Sequence, residues 1–343
     1  MSMMPRTAYR AVCALSVTLV TLSGCATATR TEERPAAAPC SGPNERYCSA
    51  ASGDLLELSL GELRPTQPSL GYDEVYYRLG RYTLGPDGTE QLLDQWCATN
   101  GQEALGEAQT GAKISDPTSF SCAVAVGSET DETKAPMKTV VIGPGGQPYL
   151  TDGHHTLTSF WEAPGGGPDT RVRLKVAGNL STLAPEVFWN EMRDRGWTWL
   201  QDAEGNPVEP EALPKSLGLK QFANDQYREV LYFARDVGYE QDDNSPAFQE
   251  FYWGDWLRSQ PDPSLRPAGT DLNELTPYLG LVQRIGEAIV ALPPDAAIDA
   301  GRTAEQLGRM EQFGQKAFDA LPQPIDSPKP GKLAYAIAYK DGL

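Results

Sequence analysis

Residues 147–161 read QPYLTDGHHTLTSFW and contain both histidines of the 343-residue chain. The residues before Asp152 predict a strand that ends at Thr151, and the run that follows His155 predicts a helix. Gly153, between them, permits an unusual backbone angle. The sequence therefore predicts a strand-to-helix turn that places two imidazoles at a helix N-terminus.

This turn is a candidate site for an anion. The first N–H groups of a helix lack acceptors within the helix, and the helix dipole favours negative charge there. His154 and His155 can act as acid, base, phosphate donor or metal ligand. The alternative is structural: one histidine packs under the helix while Asp152 caps it.

Strands dominate the first half of the chain. Residues 138–143 and 147–151 are separated by the turn Gly-Pro-Gly-Gly, which predicts a hairpin. Residues 55–60 form another strand candidate, and residues 171–176 alternate with a period of two. The cations of that last strand, Arg171, Arg173 and Lys175, share one face, which is either solvated or lines a basic groove.

Helical periods begin near residue 184. Helices are predicted over 185–195, over 225–237 with Asp225 as the cap, after Ser245-Pro246, and over 271–292 and 303–321. We therefore expect an α+β protein, with an α/β domain at 54–182 and a mainly helical region at 183–343.

The first 24 residues have the pattern of an export signal. Arg6 and Arg10 precede a short apolar run, which is typical of a signal peptide. The sequence Leu-Ser-Gly-Cys that ends at Cys25 resembles a bacterial lipobox. The resemblance implies lipidation of Cys25 and anchoring to the cell envelope, at the outer membrane facing the periplasm because Ala26 follows. The alternative is an ordinary cleaved signal; residues 25–53 are expected to be a tether.

Four cysteines remain after the signal and the lipobox are set aside: Cys40, Cys48, Cys97 and Cys122. An even number in an oxidising compartment predicts two disulfides. Of the three pairings, we favour Cys40–Cys48 with Cys97–Cys122, because each closes a local loop. Metal binding is the weaker alternative, since no spacing is CxxC.

The charge of the chain limits its partners. Lys plus Arg is 29 and Asp plus Glu is 46, a formal net charge of −17. Such a surface repels polyanions, which disfavours bulk binding of nucleic acid. A small anionic ligand at a local cationic site remains compatible with this composition.

Three groups of residues resemble the ParB/sulfiredoxin-like superfamily, and within it the ParB-like nuclease family. They are the turn TDGHHT at 151–156, the segment LRPTQPSLGYDEV at 63–75, and a downstream series at 188–189, 195–197, 213–216, 225–228 and 251–253. The resemblance covers about residues 55–260. It implies a small mixed-sheet domain whose strand-to-helix turn binds phosphate or nucleotide.

The resemblance assigns roles to the residues of these motifs. It implies catalytic roles for His154, His155 and Asp152, with Asp152 orienting an imidazole. It implies ligand binding by four further residues: Arg64, Gln67, Gly153 and Thr156. Thr156 is a departure, because many members carry Arg or a related polar residue there. The Gly-Cys-His-Arg motif of sulfiredoxin is absent from the sequence.

Three functions remain open from the sequence. The first is a lipid-anchored phosphoesterase or nuclease-like hydrolase, in which Arg64 holds the phosphate close to the histidines. The second is a binding module for a phosphorylated or carboxylated small ligand, and the third is a structural envelope protein. No cofactor is identified; a divalent metal on the histidines and Asp152 would need further ligands. If binding depends on imidazolium, affinity for phosphate weakens as the pH rises through about 6.5.

Overall fold

A four-stranded mixed sheet carries the histidine turn. The computed structural model describes residues 40, 42–242, 245–299 and 301–343, so the predicted signal peptide and Cys25 lie outside the described residues. The sheet consists of β1 (Leu55–Ser59), β5 (Thr139–Ile142), β6 (Pro148–Leu150) and β7 (Arg171–Asn179) in the order β1-β7-β5-β6. β7 runs antiparallel to β1 and parallel to β5. β5 and β6 form the predicted antiparallel hairpin.

Two short strand pairs lie outside this sheet. β2 (Ser69–Leu70) pairs in parallel with β8 (Ala223–Asn224). β3 (Leu105–Ala108) pairs antiparallel with β4 (Phe120–Cys122). The first pair joins the two halves of the sequence, since its strands are more than 150 residues apart.

Ten helices are found among the described residues. They are α1 (Tyr72–Thr83), α2 (Gly88–Thr99), α3 (Asp131–Lys134), α4 (His154–Glu162), α5 (Pro185–Asp194), α6 (Gln226–Ala234), α7 (Gln249–Ser259), α8 (Leu275–Val290), α9 (Gln315–Ala320) and α10 (Lys332–Lys340). In the described part of the chain, no helix is both long and apolar enough to cross a membrane.

The α+β class is confirmed, but the two predicted regions are not separate bodies. All described residues belong to one compact unit. Besides the β2–β8 pair, α10 packs along α1, so the last helix of the chain covers the first. Residues before and after the predicted boundary at 182/183 therefore pack together in one folded unit.

The described end of the predicted tether is folded onto the sheet. Tyr47 and Ala50 are buried, and the Asn179 side-chain amide donates to the carbonyls of Cys48 (2.9 Å) and Ala50 (2.7 Å). The prediction of a tether up to residue 53 is thus wrong for residues 42–53. A single apolar residue such as Tyr47 gives no periodic signal, although it buries as much surface as a core side chain.

Both favoured disulfides are present. Cys40 bonds to Cys48, and Cys97 on α2 bonds to Cys122 on β4. The second bridge fastens the β3–β4 pair to a helix that contacts β7 of the main sheet. Both pairings confirm the local-loop prediction.

Two predicted helices differ from the structure. Ser245-Pro246 does not begin a helix; α7 begins at Gln249, after Phe248 adopts a left-handed conformation with φ 61°. The helix predicted over 303–321 is reduced to α9, because the chain turns at Gly308 with φ 70°. Thr303 and Gln306 form the reciprocal bonds of a capping box all the same.

Candidate functional site

A cavity of about 630 Å³ lies beside the N-terminus of α4. One wall comes from the histidine turn, and the others come from α1, α6, α7 and the segment before α7. The charged and histidine residues that line it are Glu74, Arg78, Lys138, Asp152, His154, His155, Arg228, Arg235, Asp242 and Glu250. The turn that the sequence singled out is therefore part of a concave surface.

The turn has the backbone geometry that the sequence predicted. Gly153 has φ +92° and is the residue before the first helical residue of α4. A Cβ atom on Gly153 would lie 2.5 Å from Lys138 Cγ, so both conformation and space favour glycine. α4 begins at His154, two residues earlier than predicted, and no side chain caps it. Its first N–H groups are left for a ligand or water.

His154 is a buried, neutral acceptor. Its Nε2 accepts a hydrogen bond from the Thr66 N–H at 3.1 Å, and the residue is 4% exposed. Burial lowers the pKa of His154 to about 3, with a smaller contribution from His155. At neutral pH this imidazole therefore fastens the 63–75 segment to α4.

His155 is fastened in the same way. Its Nε2 accepts from the Gly71 N–H at 3.2 Å, and its Nδ1 lies 3.2 Å from Glu74 Oε2. Burial lowers the pKa of His155 to about 4 and outweighs the opposing effect of Glu74. At neutral pH, His155 is therefore a neutral imidazole and not the imidazolium that the sequence analysis considered for phosphate binding.

Asp152 and Arg64 are placed differently from expectation. The Asp152 carboxylate pairs with Lys138 Nζ at 3.2 Å, and among the described residues it is Glu74 that contacts an imidazole. Arg64 does not line the cavity; its guanidinium donates to the Lys215 carbonyl at 2.7 Å. Asp152 therefore does not orient an imidazole, and Arg64 does not lie in the cavity wall.

The other motif residues do line the cavity. Gln67, Gly153 and Thr156 all contribute to its wall. Gln67 Nε2 donates to the Ser69 carbonyl at 2.9 Å. Their roles toward a ligand stay predictions.

The cations of the cavity are residues to which the sequence assigned no role in ligand binding. Arg228 on α6 is 5% exposed, and its Nη2 donates to Glu250 Oε2 at 2.9 Å. Its guanidinium lies over the Phe251 ring, 3.8 Å from the centroid. Arg235 donates to the other oxygen of Glu250. The only sequence signal was the motif at 225–228, which also supplied the cap: Asp225 accepts from two N–H groups at the start of α6.

Several guanidinium atoms of the cavity have no partner. Among the described residues, Nε and Nη1 of Arg228 are buried without a hydrogen bond, as is Nε of Arg78 and of Arg235. Arg78 Nη2 does pair with Glu74 Oε1, at 2.8 Å. Buried polar groups are normally satisfied, so a cluster of unsatisfied donors in one cavity wall points to an acceptor that is supplied from outside.

Both buried carboxylates of the cavity, Glu250 and Glu74, are ionised. Burial alone would raise the pKa of Glu250, but Arg235 and Arg228 lower it far below its usual range. Burial likewise opposes ionisation of Glu74, but the His155 imidazole and the Arg78 guanidinium lower its pKa. Three guanidinium groups, one buried and two partly buried, therefore face these two carboxylates.

A second buried charge cluster involves a different face of α1, because Asp73 and Glu74 point about 100° apart around the helix; we call it the far-side cluster. Lys340 Nζ lies 3.0 Å from Asp73 and donates to the Leu272 carbonyl at 2.6 Å. Glu229 is 3% exposed and accepts from the Asn224 amide. Burial raises the pKa of Glu229 to about 8, and the Asp73 carboxylate adds to the shift. Each of these acids adjoins a cavity residue in sequence: Asp73 precedes Glu74, and Glu229 follows Arg228.

The remaining sequence candidates give no second site of this kind. Within the described residues, no group of three or more His, Cys, Asp or Glu side chains is arranged to hold a metal ion. Arg171 pairs with Glu57, and Arg173 pairs with Glu129. These strand cations are neutralised by carboxylates and do not form a basic groove.

Comparisons with known proteins cover more than half of the chain. The family model described as "Putative ParB-like nuclease" matches residues 56–259. No curated protein matches the chain. Among solved structures, the chain is similar to the crystal structure of protein Atu1540 from Agrobacterium tumefaciens, with 19% identity and a TM-score of 0.44 over 69% of this chain and 93% of that one. A likeness at this level carries no functional argument.

Proposed function

Because this chain belongs to the ParB-like nuclease family, we propose that the cavity beside the histidine turn binds the phosphate group of a small phosphoester. The observation that carries the proposal is Arg228. It is a buried guanidinium in the cavity wall, with two nitrogen atoms unpartnered among the described residues. Each of these N–H groups can donate a charge-assisted hydrogen bond to a phosphate oxygen.

The charge balance of the cavity supports an anionic ligand. Arg78, Arg228 and Arg235 carry three positive charges against the two carboxylates Glu74 and Glu250. The Lys138–Asp152 pair at the turn is neutral overall, and Asp242 is an exposed residue of the lining. The interior of the cavity therefore carries one positive charge in excess, which the exposed Asp242 at its edge offsets in the lining as a whole. The N-terminus of α4 adds its partial positive charge.

Binding calorimetry with inorganic phosphate tests this proposal. Arg228→Gln is expected to weaken binding at least tenfold, because a charge-assisted hydrogen bond contributes roughly 1.5–3 kcal/mol. Arg228→Lys keeps the charge but loses the guanidinium donors, so its affinity for phosphate is expected to lie between those of the wild type and Arg228→Gln. Arg193→Gln, an exposed change on α5, is the matched control. Unchanged affinity in folded Arg228→Gln would contradict the proposal.

Hydrolysis of the bound phosphoester is a second candidate, favoured by the His155–Glu74 pair. A carboxylate that orients an imidazole is the arrangement of a general base. His155 Nε2 is occupied by the Gly71 N–H, so turnover requires this bond to open. Steady-state hydrolysis of bis(4-nitrophenyl) phosphate, with His155→Gln as the variant, separates the two functions. Phosphate binding without turnover supports a binding module.

We also propose that Cys25 anchors the protein by lipid to the cell envelope, at the outer membrane facing the periplasm. The support is the lipobox-like sequence, together with two disulfides, which form in oxidising compartments. Cys25→Ser is expected to abolish incorporation of labelled fatty acid and to release the protein from the membrane fraction. Unchanged lipid labelling of this variant would overturn the proposal.

A further inference from the structure

Gln249 presents an unsatisfied acceptor in the wall of the same cavity. It is the first residue of α7, is 2% exposed and lines the cavity. Its Nε2 donates to two backbone carbonyls, Glu240 O at 2.8 Å and Leu307 O at 3.0 Å. A flipped amide would set its oxygen against both carbonyls, so the orientation is fixed. Its Oε1 is buried without a partner among the described residues.

A buried carbonyl oxygen without a donor is costly. Leaving such a group unsatisfied costs about 1–3 kcal/mol, and native interiors contain few of them. The unsatisfied guanidinium nitrogens of the cavity do not donate to Gln249 Oε1 in this structure, so neither group satisfies the other. The cavity therefore combines unsatisfied donors at Arg228 with an unsatisfied acceptor at Gln249.

We infer that the ligand is a hydroxyl-bearing phosphoester, whose hydroxyl group donates to Gln249 Oε1 while its phosphate binds Arg228. The inference rests on the proposed phosphate site and adds the chemical class of the group attached to the phosphate. An ammonium group could also donate to Gln249. The positive excess of the neighbouring guanidinium groups repels it, so the neutral hydroxyl group is the donor that the cavity favours.

Two ligands of matched size and charge test the inference: glycerol 1-phosphate, which bears hydroxyl groups, and propyl phosphate, which does not. The wild-type protein is expected to bind glycerol 1-phosphate about tenfold more tightly. Gln249→Met removes the carbonyl and keeps the side-chain length, and it is expected to reduce this preference to about twofold or less. Gln283→Met, an exposed change on α8, is the matched control and keeps the preference.

The possible results separate this inference from the proposed function. Equal wild-type affinity for both ligands overturns the inference and leaves the phosphate site standing. Binding of neither ligand overturns the phosphate site itself and the inference with it. A preference that survives in Gln249→Met assigns the hydroxyl contact to another acceptor and overturns the role of Gln249. Because Gln249 also donates to two backbone carbonyls, the melting temperature of Gln249→Met is measured to check that the variant folds. The wild-type comparison of the two ligands decides the ligand class by itself.

Discussion

The two sides of α1 hold buried charges in opposite balance. On the cavity side, Glu74 belongs to a network in which guanidinium groups outnumber carboxylates. On the far side, Asp73 and Glu229 share the single cation Lys340. The carboxyl pKa values follow this balance, because they are lowered at Glu74 and raised at Asp73.

The difference distinguishes a cluster that balances its own charge, which we call closed, from one that does not, which we call open. The far-side cluster balances itself by keeping a proton on one of its two acids. Neither acid of the cavity cluster keeps a proton at neutral pH, because the pKa values of Glu74 and Glu250 are lowered. An anion that enters the cavity would balance the excess charge of its interior. Four changes test whether the two clusters differ in this way.

Glu250→Gln is expected to have the largest effect. It removes the carboxylate that both Arg228 and Arg235 bind, and breaking a buried ion pair from one side costs about 4 kcal/mol. Phosphate should restore part of this loss, because it replaces the missing negative charge. Urea denaturation with and without phosphate measures both effects. Equal stabilisation of wild type and variant by phosphate would show that the anion does not enter this cluster.

Lys340→Met makes the matching change on the far side. It leaves two buried acids without their cation, and the free energy of unfolding is expected to fall by about 3 kcal/mol. Added phosphate should not restore it, and phosphate affinity should stay at the wild-type value. Lys329→Met, at an exposed position, is the control. A loss of phosphate binding in Lys340→Met would mean that the two clusters are not independent.

His154→Ala is expected to lower the free energy of unfolding by about 2 kcal/mol, because it leaves the buried Thr66 N–H without an acceptor.

The low pKa values of both histidines, about 3 and 4, also predict that affinity for dimethyl phosphate is constant between pH 5.5 and 7.5. This ligand keeps one negative charge over that range. If affinity instead changes with a midpoint near pH 6.5, phosphate binding depends on a protonated histidine, as the sequence first suggested.

Glu229→Gln should change the pH dependence of stability. The folded pKa of about 8 lies above the unfolded value near 4.5, so the stabilisation is complete below pH 4.5 and is lost as the pH rises to 8. The buried histidines act oppositely, but only below pH 6.5. Between pH 6.5 and 8 the wild type should lose about 1.5 kcal/mol, and Glu229→Gln should lose much less.

Thermal unfolding of both proteins across that pH window measures the difference. The side-chain amide introduced by Glu229→Gln can still accept from Asn224, so the variant should fold as the wild type does. Parallel pH profiles would place the titrating proton elsewhere than on this pair of acids.

Local signals predicted the sheet and the turn. The alternation at 171–176 and the Gly-Pro-Gly-Gly turn are properties of neighbouring residues, and β7 and the β5–β6 hairpin follow them. Gly153 has the positive φ that its place between strand and helix suggested. The local disulfide pairing succeeded for the same reason.

Long-range contacts decided what the sequence could not show. Gly308 interrupts the helix predicted over 303–321 because its backbone packs against the Glu240 carbonyl, 2.1 Å from where a Cβ would lie. Arg228 and Glu250 follow His155 by more than 70 residues, and no local period indicates that they meet it. The motif at 225–228 pointed to the right helix, but only its cap was apparent from the sequence.

The neighbour pairs Asp73-Glu74 and Arg228-Glu229 have a consequence for insertions and deletions. In each pair, adjacent residues on neighbouring faces of one helix belong to different clusters, so a single residue position separates the clusters. Inserting a single residue early in α1 or α6 would rotate the following positions by about 100°. It would exchange an acid of the closed cluster for a charge of the cavity. Side-chain replacements can adjust this site gradually, whereas a change of helix length in α1 or α6 alters both clusters at once.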